Sequence, residues 1–374
     1  MFIEKIEVNG YKNISSVKLD FDKNLNIFYG ENAQGKTNLI ESIWLCSGCR
    51  SFRAAKEKDF IGFDENYADI KVWFKNSKRT QDINIQFKRE KKDKIIALNG
   101  VKLNSMSALF GQFKCVVFSP DDLEIAKGAP DRRRYFIDFS ISQIKPSYLN
   151  ALNTYNNVLA QRNAYIKSAV CEHSPNLSII DIWDEQLSKA GAYISLLRHT
   201  YSNNLNDYTN VLYNNITNGR ENLNLYYKST IFDDILGNKN SQGELYRIYL
   251  SKLKKSIKND LRMGFTTVGV HRDDFTAEIN KLPVREYGSQ GQARSVALSL
   301  KLAAAKILFD ESGDSPVLLL DDVLSELDTA RQGFILNNIS DMQTIITCCD
   351  KKLFGDNIKG NIFKVNDGKI LTNT

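Results

Sequence analysis

Gly30-Glu31-Asn32-Ala33-Gln34-Gly35-Lys36-Thr37 follows the pattern G-x-x-x-x-G-K-[ST]. In such a loop backbone N–H groups close around phosphate oxygens, the lysine neutralises the β and γ oxygens, and the Thr hydroxyl can ligate Mg²⁺. A glycine-rich turn before an ordinary helix would leave Lys36 unexplained. Far down the chain, Val317-Leu318-Leu319-Leu320-Asp321-Asp322 is an apolar run that ends in two carboxylates. It reads as a buried parallel strand emerging at the carboxyl edge of a sheet, where such sheets place ligands. Asp321 is then the candidate Mg²⁺ ligand with Thr37, and Asp322 the candidate to orient or deprotonate an attacking water. The plainer alternative, a pair of acids that caps the next turn, weakens once the phosphate loop is present. The chemistry expected is ATP hydrolysis with Mg²⁺, in which Lys36, Asp321 and Asp322 act on the phosphates and the water.

Both stretches need scaffolds, and the surrounding residues supply them. Apolar alternation at Ile6 and Val8, Val17 and Leu19, and Leu25, Ile27 and Tyr29 predicts strands feeding the phosphate loop. A helix begins at Lys36, with Leu39, Ile40, Ile43 and Trp44 at helical spacing. From Ala68 to Leu103 the period is two, which predicts an antiparallel meander whose last pair turns at Asn99-Gly100. Cys115 to Phe118 reads as a short strand, with Ser119 and Pro120 starting a helix. After Asp138 long polar helices take over, one with Leu149, Leu152, Tyr155, Val158 and Leu159 on a face and another with Ile179, Ile182, Trp183 and Leu187. Pro175 and the stretch 237–241 punctuate them. The insertion is too short for a long coiled-coil arm and reads as a compact helical lobe. Strand signals return at Thr266, then at Val317 to Leu320, Thr344 to Thr347 and a closing hairpin at Asp367-Gly368.

Composition bounds the rest. The chain has 374 residues, 42% hydrophobic and 25% charged, enough for one large domain or two linked ones. Neither a spanning apolar run nor a signal-peptide layout at Met1-Phe2-Ile3-Glu4-Lys5 is seen, so a cytoplasmic protein is expected. Six cysteines at 46, 49, 115, 171, 348 and 349 make no disulfide framework, and Cys46-Ser47-Gly48-Cys49 is a lone CxxC without further metal ligands. A net charge of +6 permits nucleic acid binding without requiring it.

A third segment, Tyr287-Gly288-Ser289-Gln290-Gly291-Gln292-Ala293-Arg294-Ser295, precedes a helix predicted from Val296 to Phe309. Its Ser289-Gln290-Gly291-Gln292 core resembles the signature motif of ABC-type ATPase heads, and Ser325-Glu326-Leu327-Asp328 resembles their D-loop. Further motifs are similar to the RecF family: Gly128-Ala129-Pro130-Asp131-Arg132-Arg133-Arg134-Tyr135-Phe136-Ile137-Asp138 resembles its G-x-P-x-x-R-R-x-[FY]-x-D element. Gly269-Val270-His271-Arg272-Asp273-Asp274 resembles G-P-H-R-D-D, and Leu327-Asp328 with Arg331 a second signature. The likeness runs from the first strands to about residue 350.

The resemblance implies an α/β fold: an ABC-type ATPase head, with a mixed sheet, phosphate-loop helix and antiparallel β subdomain, plus an inserted α-helical lobe. It divides the chain into 1–138, head with phosphate loop and meander; 139–264, lobe; and 265–374, head with signature, Walker B and D-loop. It further implies an ATP-dependent homodimer in which Ser289, Gln290, Gly291 and Gln292 close on ATP held by the other subunit. Such a dimer would clamp DNA, hydrolyse ATP slowly as a switch, and help the mediators RecO and RecR load the RecA recombinase in support of the SOS response. A transporter ATPase subunit or another chromosome-maintenance head are the rival readings. Val270 stands where the family usually has Pro and Lys12 where Arg is usual. No His follows Thr344-Ile345-Ile346-Thr347 at the switch position of transporter heads, and no evident Gln follows Phe118. His271 is open to a switch role or a structural one. Candidate DNA contacts are Arg50, Arg53, Lys56 and Lys58; Lys88 to Lys94; Lys252, Lys254, Lys255 and Lys258; and the triple Arg132-Arg133-Arg134, of which at least one is expected to pair internally.

Overall fold

Val8, Ile70, Ile85 and Ile96 stand opposite one another across four antiparallel strands, and all four are buried. This row is what the period-two alternation predicts: one face of a pleated sheet turned to the core. The sheet runs in the order Ile14–Asp20, Phe2–Tyr11, Tyr67–Lys75, Thr80–Lys88, Asp93–Leu98, Val101–Leu103. Its last hairpin turns at Asn99 and Gly100, with φ of 52° and 76°, the left-handed pair that a two-residue turn needs.

The computed structural model describes residues 1–48, 51–53, 55–90, 93–172, 177–232, 241–351 and 359–372. Two compact units emerge, Met1–Leu123 with Ala297–Thr374, and Glu124–Val296. In the first unit a second sheet has the order Lys369–Thr372, Asn361–Asn366, Leu25–Tyr29, Thr344–Cys348, Val317–Asp321, Cys115–Phe118. Its inner pairings are parallel, and only the terminal hairpin is antiparallel. Every residue of Val317–Asp321 is buried, which explains the unbroken apolar run. Leu25–Tyr29 leads through the phosphate loop into the helix Lys36–Leu45, so the loop sits at the carboxyl edge beside the end of Val317–Asp321.

The second unit is built on the helices Pro130–Ile144, Pro146–Glu172, Leu177–Thr217 and Gln242–Met263. Leu177–Thr217 has 41 residues, about 60 Å at 1.5 Å per residue. Ser241 starts the last of them with a capping box to Glu244. Three observations revise the sequence reading. A three-stranded antiparallel sheet, Leu282–Pro283, Asp274–Ile279 and Leu223–Lys228, lies within this unit, its strand Leu223–Lys228 falling where only helices were expected. Its strands are short and polar on one face, so their alternation is faint. On Leu177–Thr217 the buried stripe runs through Ile180, Asp184 and Leu187, leaving Ile182 58% exposed, because Asp184 turns inward to pair with Arg162. Third, the unit begins at Glu124 and ends at Val296, taking in flanks that the sequence assigned to the head.

Buried ion pairs account for that wider boundary. Arg133 grips Asp274 with two bonds of 2.7 and 2.9 Å, and Arg198 grips Asp138 while donating to Val270 O at 2.6 Å. Arg162, with no exposed surface, reaches both Asp184 and Asp260. Each pair joins segments distant in sequence, and breaking one would strand a buried charge. Pro175 and positions 237–240 lie outside the described residues.

Candidate nucleotide-binding site

Gly35 opens the helix Lys36–Leu45 with φ of 107°, a backbone state that a side chain would disfavour. The loop curls so that Lys36, buried, donates from Nζ to Gly30 O at 2.6 Å and Glu31 O at 2.8 Å. Lys36 is thereby held within the curve of the loop, while Glu31, Asn32 and Ala33 remain exposed and Gln34 is half-buried. Thr37 Oγ1 donates to Asp321 Oδ1 at 2.9 Å. The two motifs singled out at opposite ends of the chain therefore meet in one place.

Burial pushes the Asp321 carboxyl up from its ordinary value, opposed by hydroxyl donors from Thr37 and Thr347. A divalent cation is the natural neutraliser of such a group, and Thr37 Oγ1 with Asp321 offers the protein's share of a Mg²⁺ shell that phosphate oxygens would complete. Asp322 adopts φ of 52°, a conformation that Asp tolerates. Its N–H donates to Thr347 Oγ1 at 3.0 Å, and Ser325 Oγ donates toward its Oδ1 at 3.0 Å. Asp321 is thus directed at Thr37 and Asp322 is turned to a half-exposed position.

Thr347 was not singled out from sequence. It donates to Asp321 Oδ1 at 2.9 Å and accepts from Asp322 N, so one hydroxyl sets both acids. Its hydroxyl is fully buried within the strand, and nothing in the sequence marks it out from an ordinary strand threonine. Cys349 occupies the switch position where no His was found, with Sγ 3.1 Å from Asn32 Oδ1 and 4.0 Å from Asp322 Oδ2. Glu41, buried on the phosphate-loop helix, gathers Tyr11 Oη at 2.9 Å together with Lys12 Nζ and Ser51 Oγ. Lys12 therefore has an acidic partner beneath the loop.

Ser289, Gln290, Gly291 and Gln292 belong to the second unit. The helix starts at Gln290, not Val296, because Ser289 and Gln292 form a reciprocal cap: Gln292 N donates to Ser289 Oγ at 3.1 Å and Ser289 N to Gln292 Oε1 at 2.8 Å. Gln292 Nε2 is further anchored on Glu221 at 2.8 Å. Ser289 and Gln290 are exposed, presenting a capped helix start to the outside. His271 is the opposite case. Its Nδ1 lies 2.9 Å from Tyr155 Oη and its Nε2 3.1 Å from Thr266 O, and burial pulls its pKa down to about 4. Those contacts favour the structural reading. Cys49 and Arg50 lie outside the described residues.

Residues 2–369 match the family model described as RecF/RecN/SMC N terminal domain. A DNA replication and repair protein RecF from Clostridium beijerinckii is 40% identical over 373 residues, covering 99% of this chain and 98% of the relative. The chain belongs to the RecF family. Its Clostridium tetani relative, of the same description, is 40% identical over 378 residues and covered in full by the alignment. The solved structure of the recombination mediator protein RecF with ATP, in the RecFOR pathway, superposes with a TM-score of 0.91 at 36% identity, covering 100% of this chain and 98% of that chain. An Smc head bound to the C-winged helix domain of ScpA gives 0.57 at 17% identity, over 100% of this chain and 98% of that one. That second likeness is one of fold: an ABC-type head with an inserted lobe. Among the described residues no helix is long and apolar enough to cross a membrane.

Proposed function

We propose that the protein is an ATP-gated, DNA-binding factor of replication and recombinational repair, acting in the cytoplasm. The hydrogen bond between Thr37 and Asp321 carries the nucleotide half of this reading, since it joins the phosphate loop to a carboxylate suited to Mg²⁺. In it Gly30, Glu31, Asn32, Ala33, Gln34 and Gly35 wrap the phosphates and Lys36 neutralises them, while Thr37 and Asp321 would hold Mg²⁺, which would offset phosphate charge. Asp322 orients the attacking water.

The exposed, capped Ser289-Gln290-Gly291-Gln292 turn supports closure in trans. A helix N-terminus is a natural seat for a γ-phosphate, and the capping places the Ser289 hydroxyl and Gly291 amide at that end. Two ATP molecules would then be shared between two copies of the chain, and hydrolysis would reopen the pair as a slow switch. By family likeness the closed dimer works with RecO and RecR to load recombinase at gaps, in support of the SOS response. Ser289→Arg tests the arrangement: one ATP should still bind per subunit while ATP-dependent dimerisation, followed by light scattering, is lost. Unchanged dimerisation would refute the trans assignment.

For DNA, the candidate clusters differ in what their charges already do. Arg89 is engaged with the carbonyls of Gly62, Phe63 and Glu65, and Lys94 pairs with Glu57. Arg133 and Arg134 turn inward to Asp274 and to Asp273 O. Lys91 and Lys92 lie outside the described residues. On Gln242–Met263, Arg247, Lys254, Lys255, Lys258 and Arg262 are all exposed and set by helical spacing within one broad stripe, with Lys254 paired to Asp181 at 3.2 Å. The only acid between Arg247 and Arg262 is Asp260, buried on Arg162, so this stretch holds almost as much net charge as the +6 of the whole chain. We assign phosphate binding to this face. Replacing Lys255 and Lys258 by Gln should weaken DNA binding equally across sequences and flatten the log K against log salt slope by about 0.9 for each phosphate no longer neutralised. An unchanged slope would remove the face from the interface.

A further inference from the structure

The tip of the closing hairpin, Asp367-Gly368, is stitched to the phosphate loop at several points. Gly368 N donates to Gln34 O at 2.9 Å, and Asp367 N donates to the Gln34 side-chain Oε1. Upstream in the same hairpin, the carbonyl of Val365 lies against Gly30, where a Cβ would stand 2.2 Å from it. Gly368 itself, at φ of +69°, lies so close to the turn after Phe2–Tyr11 that a Cβ would be 1.9 Å from Asn13 O. The Asn13 amide in turn covers Gly35, where a Cβ would stand 2.9 Å from Oδ1, and accepts from Asn38 Nδ2 at 2.7 Å. Three backbone segments, the 12–13 turn, the phosphate loop and the hairpin tip, are therefore packed at distances that admit almost no side chain.

We propose that this hairpin is a positioning element for ATP, acting through Gln34, and that Gln34, Asn13 and Gly368 set nucleotide affinity without touching the reacting atoms. The inference rests on the ATP-binding reading above. The physical reason is that a phosphate loop binds through backbone N–H groups, whose directions are useful only while the loop is held in one curve. Lys36 fixes that curve from inside, through Gly30 and Glu31. Among the x positions Gln34 is the one held on both its backbone and its side chain by a segment more than three hundred residues away. Loop order is then supplied by the last strands of the chain, before ligand arrives, which lowers the ordering cost on binding.

The test compares Gln34→Met, similar in length but lacking the acceptor, Gly368→Ala, and Leu371→Ala as a control at a half-exposed position of the same hairpin. ATP affinity is measured by equilibrium titration, turnover by steady-state hydrolysis, and folding by circular dichroism and thermal melting without nucleotide. Gln34→Met should weaken ATP binding about three- to tenfold, as expected for one hydrogen bond, and Gly368→Ala by more. KM should rise with kcat kept, because Thr37, Asp321 and Asp322 are untouched, and Leu371→Ala should match the wild type. Should Gln34→Met and Gly368→Ala bind ATP as the wild type does, or lose kcat at constant KM, the positioning role is overturned. If Gly368→Ala does not fold, Gln34→Met decides alone. Failure of the wild type to bind ATP would instead strike the underlying reading, which Lys36→Ala reports on in the same titration.

Discussion

Asp322→Asn should cut ATP hydrolysis by roughly 10²–10⁴-fold, the contribution typical of a general base, while ATP affinity stays within about threefold. The substitution is mild for the fold. Asn accepts the left-handed backbone that Asp322 adopts at φ of 52°, and its side-chain oxygen can still take the Ser325 bond. The N–H bond to Thr347 Oγ1 is backbone and survives. What would be lost is the negative charge to which the proposed function assigns the attacking water. Because Asp321, not Asp322, faces Thr37, the Mg²⁺ seat should remain. Single-turnover hydrolysis beside equilibrium binding separates the two effects, and an ATP-bound dimer should accumulate. Hydrolysis at the wild-type rate would move the water-orienting role elsewhere, with Cys349 and Asn32 the neighbours to examine next.

Lys36→Ala should lower ATP affinity by at least about a hundredfold, since charge-assisted hydrogen bonds contribute about 1.5–3 kcal/mol each and the ammonium would face two phosphates. Lys36→Arg should not restore it: the planar guanidinium cannot occupy the narrow space between Gly30 O and Glu31 O. The apo protein should melt somewhat below the wild type, because Gly30 O loses a buried donor when the ammonium is removed. Titration with ATP and thermal melting distinguish these outcomes. A variant that binds ATP normally would mean that the loop does not hold the phosphates.

Much of the nucleotide site was legible because its chemistry is written in local patterns. A glycine pair with Lys36 and Thr37, and an apolar strand ending in Asp321 and Asp322, announce themselves without any knowledge of the fold. That they meet was an inference from sheet topology, and the 2.9 Å bond between Thr37 and Asp321 is the geometric result. Thr347 was illegible for the opposite reason. A threonine in a strand is ordinary, and its role arises only when Val317–Asp321 and Thr344–Cys348 lie side by side, in register at Asp321 and Thr347. The helix expected from Val296 starts at Gln290, and the Ser289 to Gln292 cap, spaced as S-x-x-Q, was the overlooked signal. The extent of the second unit was hidden for a related cause. An internal partner was expected for one of Arg132-Arg133-Arg134 but could not be named, and Arg198 was not singled out, because their partners, Asp274 and Asp138, lie across long stretches of chain. Pairing of this kind leaves no periodic trace.

We propose that ATP gates DNA binding by closing two copies of the chain around the nucleotide. It is tested most directly by measuring retention of the wild-type protein on gapped duplex DNA with ATP, with ADP and without nucleotide. Retention should be strong with ATP and Mg²⁺, weak in the other two states, and accompanied by dimer. Equal retention in all three states would contradict it.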